Sequence, residues 1–274
     1  MEVRKKRKSW RFWLNLFILL YCIPGIVFYY IQDKLLFHPK ALPADYAFHF
    51  SRPFDEFQLP LNAGCTIDVV RFLPADTSRI KGSVIYFHGN RNNIEHYAPL
   101  TKIFTDHGYD VWMPDYPGFG KSTGELKEQL FYQMANQVYK LVNSRISSDR
   151  ITVYGKSLGT GFAAYVASSE PVKQLVLETP YYSIPDIVNS YAPIYPTGYM
   201  VNFKVPTYQY LSDTKEPTTI FHGTSDGVIF YRRAKKLKKF LKPSDQFCSI
   251  EGGKHNNLFD YPVYKQVMDS ILNH

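Results

Sequence analysis

One apolar run stands apart from the rest of the chain. From Phe12 to Ile31 the only clearly polar side chain is Asn15. Twenty such residues are about what an α-helix needs to cross a bilayer core. Trp10 and Trp13 stand at one edge and Tyr29 and Tyr30 at the other, where amphipathic rings sit at headgroup level. Past a connector at residues 32–53, marked by Pro39, Pro43 and Pro53, the pattern changes. Short apolar or alternating runs predict strands at Phe54–Leu59, Thr66–Phe72, Ser83–Phe87, Asp110–Met113, Ile151–Tyr154, Gln174–Leu177, Thr218–Phe221 and Gln246–Ile250. Helical stretches near Ile94–His107, Leu126–Ser144, Leu158–Ser168, Phe230–Leu241 and Tyr261–Leu272 separate most of them. The later strands are continuously apolar, as strands buried on both faces are. Alternation of this kind predicts an α/β domain over 54–274, with a mainly parallel eight-stranded sheet between two helical layers. Asn62-Ala63-Gly64 leaves room only for a hairpin between the first two strands.

Composition removes several classes. Of 274 residues, 45% are hydrophobic and 20% charged, which excludes a disordered chain. The net charge of +8 invites a nucleic-acid reading, and its location removes that reading. Residues 1–11 carry a net of +5 and residues 232–242 a net of +7, which leaves −4 for everything else. The first cluster precedes the apolar run, and only Lys34 follows it closely. The positive-inside rule then predicts an uncleaved signal anchor, residues 1–11 in the cytoplasm and the main domain on the other side. A cleaved signal peptide would need a shorter apolar core and a small-residue site, and neither is present. The second cluster is either a solvated helix face, with Ala234, Leu237 and Leu241 turned inward, or a surface for anionic headgroups. Cys65 and Cys248 either pair or remain separate buried thiols; three cysteines make no disulfide framework.

The chemistry gathers at predicted strand ends, where sheets of this kind place their sites. Ile151–Tyr154 runs into Gly155-Lys156-Ser157-Leu158-Gly159 and then a small-residue helix. G-x-S-x-G between a strand and a helix presents a serine hydroxyl on a sharp turn, so Ser157 is the candidate nucleophile. The P-loop reading fails, because that loop needs a glycine where Asp115 and Arg150 stand. Serine needs a base, and His255 follows the last strand in a flexible Gly-Gly-Lys-His-Asn-Asn loop. His88 and His222 each end a strand before glycine and are expected to shape turns. Asp226, just past the strand Thr218–Phe221, is the candidate acid that orients the imidazole, with Glu178 as the alternative. The backbone N–H groups of Asn90 and Leu158 are the expected oxyanion donors.

Together these residues resemble the α/β-hydrolase superfamily, in particular its membrane-anchored, serine-aminopeptidase-like or lysophospholipase-like hydrolases. The matching stretches are Leu35-Leu36-Phe37-His38-Pro39, Phe87-His88-Gly89-Asn90, Asp115 to Ser122, Gly155 to Gly159, His222-Gly223-x-x-Asp226 and Gly253-Lys254-His255-Asn256. They occur in the family's order over residues 32–272. Arg91-Asn92 replaces the usual Ala-Gly, Ile229-Phe230 the usual Val-Pro, and Asn257 a frequent Asp.

The resemblance implies the α/β-hydrolase fold with a cap inserted near 179–217. The reaction expected is cleavage of acyl esters through an acyl-enzyme on Ser157, which calls for no cofactor and no metal. The expected partners are a small-molecule or lipid acyl substrate and, through residues 12–31, a membrane; no nucleic acid is expected. A peptidase, a thioesterase and a non-catalytic binding module are the alternatives. The cap carries Tyr181, Tyr182, Tyr191, Tyr195, Tyr199, Phe203, Tyr208 and Tyr210 with few charges, and reads either as an acyl-binding lid or as a cap packed on itself.

Overall fold

A computed structural model describes residues 9–273. The basic run at residues 4–8 and His274 lie outside the described residues. The chain opens with α1, Trp10–Leu36, whose first turn is capped by the Ser9 side chain. It is long and apolar enough to cross a membrane, with a mean hydropathy of 2.0 in its best window. It runs five residues beyond the predicted span. Apolarity marks the lipid-compatible part of a helix, whereas the backbone ladder continues through Gln32-Asp33-Lys34 until Phe37 turns extended.

Eight strands form one sheet: β1 Phe54–Asn62, β2 Cys65–Phe72, β3 Gly82–Phe87, β4 Tyr109–Pro114, β5 Ile151–Lys156, β6 Gln174–Glu178, β7 Thr218–Gly223 and β8 Gln246–Ile250. Their order across the sheet is β8-β7-β6-β5-β3-β4-β2-β1. β3 to β8 are mutually parallel, and β2 pairs antiparallel with both β1 and β4. A two-residue parallel pairing of His38–Pro39 with Arg91–Asn92 lies apart from this sheet.

Between β3 and β4 lie α2, Ile94–Tyr97, and α3, Lys102–Thr105, with a 3-10 turn joining them. One continuous helix was expected here, and Pro99 interrupts it because it has no N–H to donate. α4, Glu128–Asn143, and α5, Gly159–Ser169, flank β5. The cap holds α6, Ile184–Tyr191, α7, Thr197–Met200, and α8, Thr207–Asp213. α9, Tyr231–Ala234, passes into a 3-10 segment over Lys235–Phe240, and α10, Pro262–Asn273, ends the chain.

Successive strand residues point to opposite faces, and each face has its own core. Ile85, Phe87, Val153, Leu175, Leu177 and Ile220 pack with α4 and α5 on one side. Val84, Tyr86, Tyr154, Val176 and Phe221 pack with α10 and the α2–α3 segment on the other. Cys65 and Cys248 are free thiols that fall in different cores, so the separate-thiol alternative describes them.

The second basic run behaves as a helix face whose apolar residues turn inward: Ala234 and Leu237 are fully buried. Arg233 and Lys236 both pair with Asp186 of the cap, at 2.9 and 2.6 Å.

One charge pair sits inside the sheet. Lys156 ends β5 opposite Glu178 of β6, and the two form a buried ion pair. Glu178 also accepts hydrogen bonds from the Tyr154 hydroxyl and, at 3.0 Å, from that of Tyr264. Burial alone would raise the Glu178 carboxyl, but the Lys156 charge and these donors hold it below its ordinary value. Removing one partner of such a pair strands a buried charge. Lys156→Met is therefore expected to lower unfolding free energy by about 3–5 kcal/mol, read as the midpoint of denaturant unfolding. Lys156→Met/Glu178→Gln is expected to recover most of that loss. A double variant no more stable than the single one contradicts this account of the pair.

Candidate active site

β5 delivers Ser157 to the carboxyl edge of the sheet, and α5 begins two residues later. The reversal is so tight that Ser157 has φ 50, a left-handed conformation rare for a side-chain-bearing residue. Its N–H donates to Glu178 O at 2.9 Å, and its carbonyl accepts from Thr160 N at 3.0 Å. Gly159 makes the reversal possible. A Cβ there would lie 2.0 Å from the Phe87 carbonyl oxygen, so no side chain fits between α5 and β3.

A second close approach brings in the other two residues. A Cβ on Gly223, at the end of β7, would lie 2.1 Å from Gly253 O. The acid loop after β7 and the histidine loop after β8 are therefore in backbone contact, and Ser225 N donates to Gly253 O at 2.9 Å. His255 Nε2 stands 2.9 Å from Ser157 Oγ, and His255 Nδ1 stands 2.8 Å from Asp226 Oδ2. The other Asp226 oxygen accepts from Val228 N at 2.8 Å and Ile229 N at 2.9 Å. Burial favours the protonated carboxyl of Asp226, but the His255 hydrogen bond and charge, with the two amides, hold it below its ordinary value. An ionised Asp226 fixes the tautomer with the proton on Nδ1 and leaves Nε2 free to accept from Ser157.

Three residues named as candidates, from three loops, are thus joined by two hydrogen bonds. Glu178, the alternative acid, is committed to Lys156 and not to His255.

Asn90 lies after β3, and its side chain donates to Leu36 O at 2.6 Å. The backbone N–H groups of Asn90 and Leu158 donate to no protein acceptor among the described residues. Arg91-Asn92 is accommodated by Asn92 at φ 59, a conformation that asparagine tolerates. His88 and His222 are both buried and hold turns, as expected of them. His88 Nε2 stands 3.3 Å from Asp115 Oδ1, whose carboxylate also accepts from Ile94 N at 3.0 Å. His222 Nε2 donates to Ile229 O at 2.9 Å, beneath Asp226.

Lys156 and Asp115 are supporting residues that the sequence reading named only as motif positions. The signal available was a charged residue at the end of an apolar strand run.

A family model described as an alpha/beta hydrolase fold matches residues 82–201. An esterase from Pyrococcus furiosus superposes with a TM-score of 0.68 at 16% identity, covering 87% of this chain and 97% of the esterase. The chain has the α/β-hydrolase fold. YfhR of Escherichia coli K12 is 24% identical over 276 residues, 94% of this chain and 93% of YfhR. The lysophosphatidylserine lipase ABHD12 of Danio rerio is 25% identical over 219 residues, 69% of this chain and 57% of that lipase.

His222 gives the site an acid sensitivity. Burial holds its imidazole below the ordinary 6.5, although the nearby Asp226 charge and the Ile229 carbonyl oppose that shift. Folded His222 stays neutral where an unfolded histidine takes up a proton, so stability falls as pH drops below about 6.5. The depressed Asp226 adds a further loss as pH falls through its still lower folded value. Denaturant midpoints measured from pH 7.5 to 5 are expected to decline for the native chain and to decline less for His222→Gln. Equal slopes for both chains contradict this assignment.

Proposed function

We propose that the chain is a membrane-anchored serine hydrolase that cleaves carboxylic esters of apolar acyl chains. The observation that carries this reading is the continuous hydrogen-bonded path from Ser157 Oγ through His255 to an ionised Asp226. Ser157 Oγ attacks the ester carbonyl carbon as His255 Nε2 removes its proton. Asp226 keeps the Nδ1 proton and stabilises the imidazolium. The unengaged N–H groups of Asn90 and Leu158 receive the developing oxyanion. Collapse of the tetrahedral adduct expels the alcohol, which takes the proton from His255. Water, deprotonated by the same imidazole, then hydrolyses the acyl-Ser157 ester.

Two further features support the membrane and the acyl chain. The α1 window that would sit in lipid has only 6% of its residues buried by the rest of the chain, so its apolar surface has little protein partner. Its length of 27 residues corresponds to about 40 Å at 1.5 Å per residue, more than a hydrocarbon core of about 30 Å. The basic cluster before it supports a cytoplasmic N-terminus with the catalytic domain on the opposite side. The relative that acts on lysophosphatidylserine is a precedent for single-chain lipid esters.

Full-length protein in vesicles, offered acyl esters of graded chain length beside aminoacyl amides and acyl thioesters, tests this. Ester hydrolysis rising with chain length is expected, with Ser157→Ala lowering kcat by about 1,000-fold or more. Preferential cleavage of amides or thioesters would overturn the ester assignment. Turnover unaffected by Ser157→Ala would overturn the serine mechanism.

A further inference from the structure

α1 is fastened to the cap along its side and not merely at its end. The Tyr21 hydroxyl donates to Ile194 O at 3.2 Å, and the Tyr195 hydroxyl donates to Tyr21 O at 3.0 Å. Their rings stack with centroids 5.0 Å apart. Gly25 admits the Tyr195 ring, since a Cβ there would lie 2.9 Å from it. One turn past the aromatic belt, Gln32 is buried against the cap. Its Nε2 donates to Met200 O at 3.0 Å and its Oε1 accepts from Asn202 N at 2.7 Å. Cap residues 194–202 therefore lie alongside the helix from Tyr21 to Gln32.

That placement has a consequence for depth. Tyr21 is eight residues before Tyr29, about 12 Å along the helix axis. Half of a hydrocarbon core is about 15 Å. A bilayer-crossing α1 thus carries the tip of the cap into the leaflet nearest the catalytic domain. The tip has the composition for it: residues 187–203 contain no Asp, Glu, Lys or Arg. Ile194 and Tyr199 are 67% and 92% exposed there, although one is aliphatic and the other aromatic.

Between α1 and the cap lies an apolar cavity of about 360 Å³, walled by Phe28, Leu35, Leu36, Val188, Tyr191 and Phe203 among others. Ligand pockets run from about 300 to 1,000 Å³, so this one suits a single chain. Two hydrogen bonds tie its walls to the loops that carry Asn90 and Asp226. The Leu36 carbonyl accepts from the Asn90 side chain, and the Tyr191 hydroxyl donates to Val228 O, two residues past Asp226.

We propose that the cap tip around Ile194 and Tyr199 is immersed in the bilayer leaflet, and that the cavity receives one acyl chain sideways from that leaflet. The membrane helix is then one wall of the substrate site as well as an anchor. The acyl-chain half of this proposal rests on the ester-hydrolase reading above, whereas the immersion half does not.

Two measurements on the full-length chain in phosphatidylcholine vesicles test it, in a Cys22→Ala background with Cys65 and Cys248 left buried. In the first, an environment-sensitive fluorophore is attached at Tyr199→Cys or, as control, at the exposed Lys239→Cys. Position 199 is expected to lose fluorescence to nitroxide-labelled lipid chains and to be shielded from aqueous iodide, with position 239 showing the reverse. Iodide quenching at 199 equal to that at 239 overturns immersion. In the second, Val188→Trp fills the cavity. The ratio of kcat/KM for a long-chain vesicle-borne ester to that for a short soluble ester is expected to fall by about tenfold or more. An unchanged ratio overturns the cavity as the acyl site. Absence of all ester hydrolysis in the unmodified chain would defeat the ester-hydrolase reading, and with it the acyl-chain half, while fluorescence quenching still decides immersion.

Discussion

The reversal between β5 and α5 is the constraint on which the site depends. Ser157 is held at φ 50 because α5 is packed so close to β3 that the Phe87 carbonyl occupies the space where a Gly159 side chain would go. A strained serine of this kind persists only when the surrounding structure over-determines it. Here the determinants are the Glu178 carbonyl on its N–H, Thr160 on its carbonyl, and the buried Lys156–Glu178 pair one residue before it. Among the described residues the Leu158 N–H has no protein acceptor at the start of α5, where the helix dipole favours negative charge.

The remaining groups are brought to that point by backbone contacts between loops. Gly223 against Gly253 joins the acid loop to the histidine loop. Buried histidines then brace two of the loops from beneath, His88 through Asp115 and His222 through Ile229. Neither is needed for proton transfer in the proposed mechanism. His222 sits in low dielectric as a neutral ring, and that state carries a stability cost in acid. The charge that dominated the composition plays no part in this machinery. Part of the second basic run instead ties the cap to the body through Asp186.

The inner strands were legible because each is a short run whose side chains are buried on both faces, and the edge strands β1 and β8 because exposed and buried positions mix along them, patterns that need no knowledge of neighbours. The sharp turn at Ser157 was legible for a similar local reason, since only glycine spacing and a strand-to-helix switch were needed. Helices were less legible where a local feature interrupted them. Pro99 divides the segment after β3. The basic segment is largely 3-10, because Ala234, Leu237 and Phe240 recur every three residues, a spacing that a 3-10 helix aligns on one face. Contacts between distant segments left no periodic trace. Gln32 reads as an ordinary polar residue ending an apolar run, and only the fold brings it to Asn202. The tyrosines of the cap divide in the same way. Tyr182 and Tyr208 stack on each other, Tyr210 bonds Tyr132, and Tyr195 meets α1. The Tyr182–Tyr208 stack is what a cap packed on itself would show.

The central claim is that Ser157 is a nucleophile activated by His255. The measurement that addresses it most directly is mass-spectrometric mapping of the adduct formed when the full-length, vesicle-bound protein meets a fluorophosphonate. The account predicts one phosphonyl group, on the peptide bearing Ser157, with none on the Ser157→Ala chain and a much slower reaction for His255→Ala. An intact protein that forms no adduct, or forms one on another residue, would contradict it.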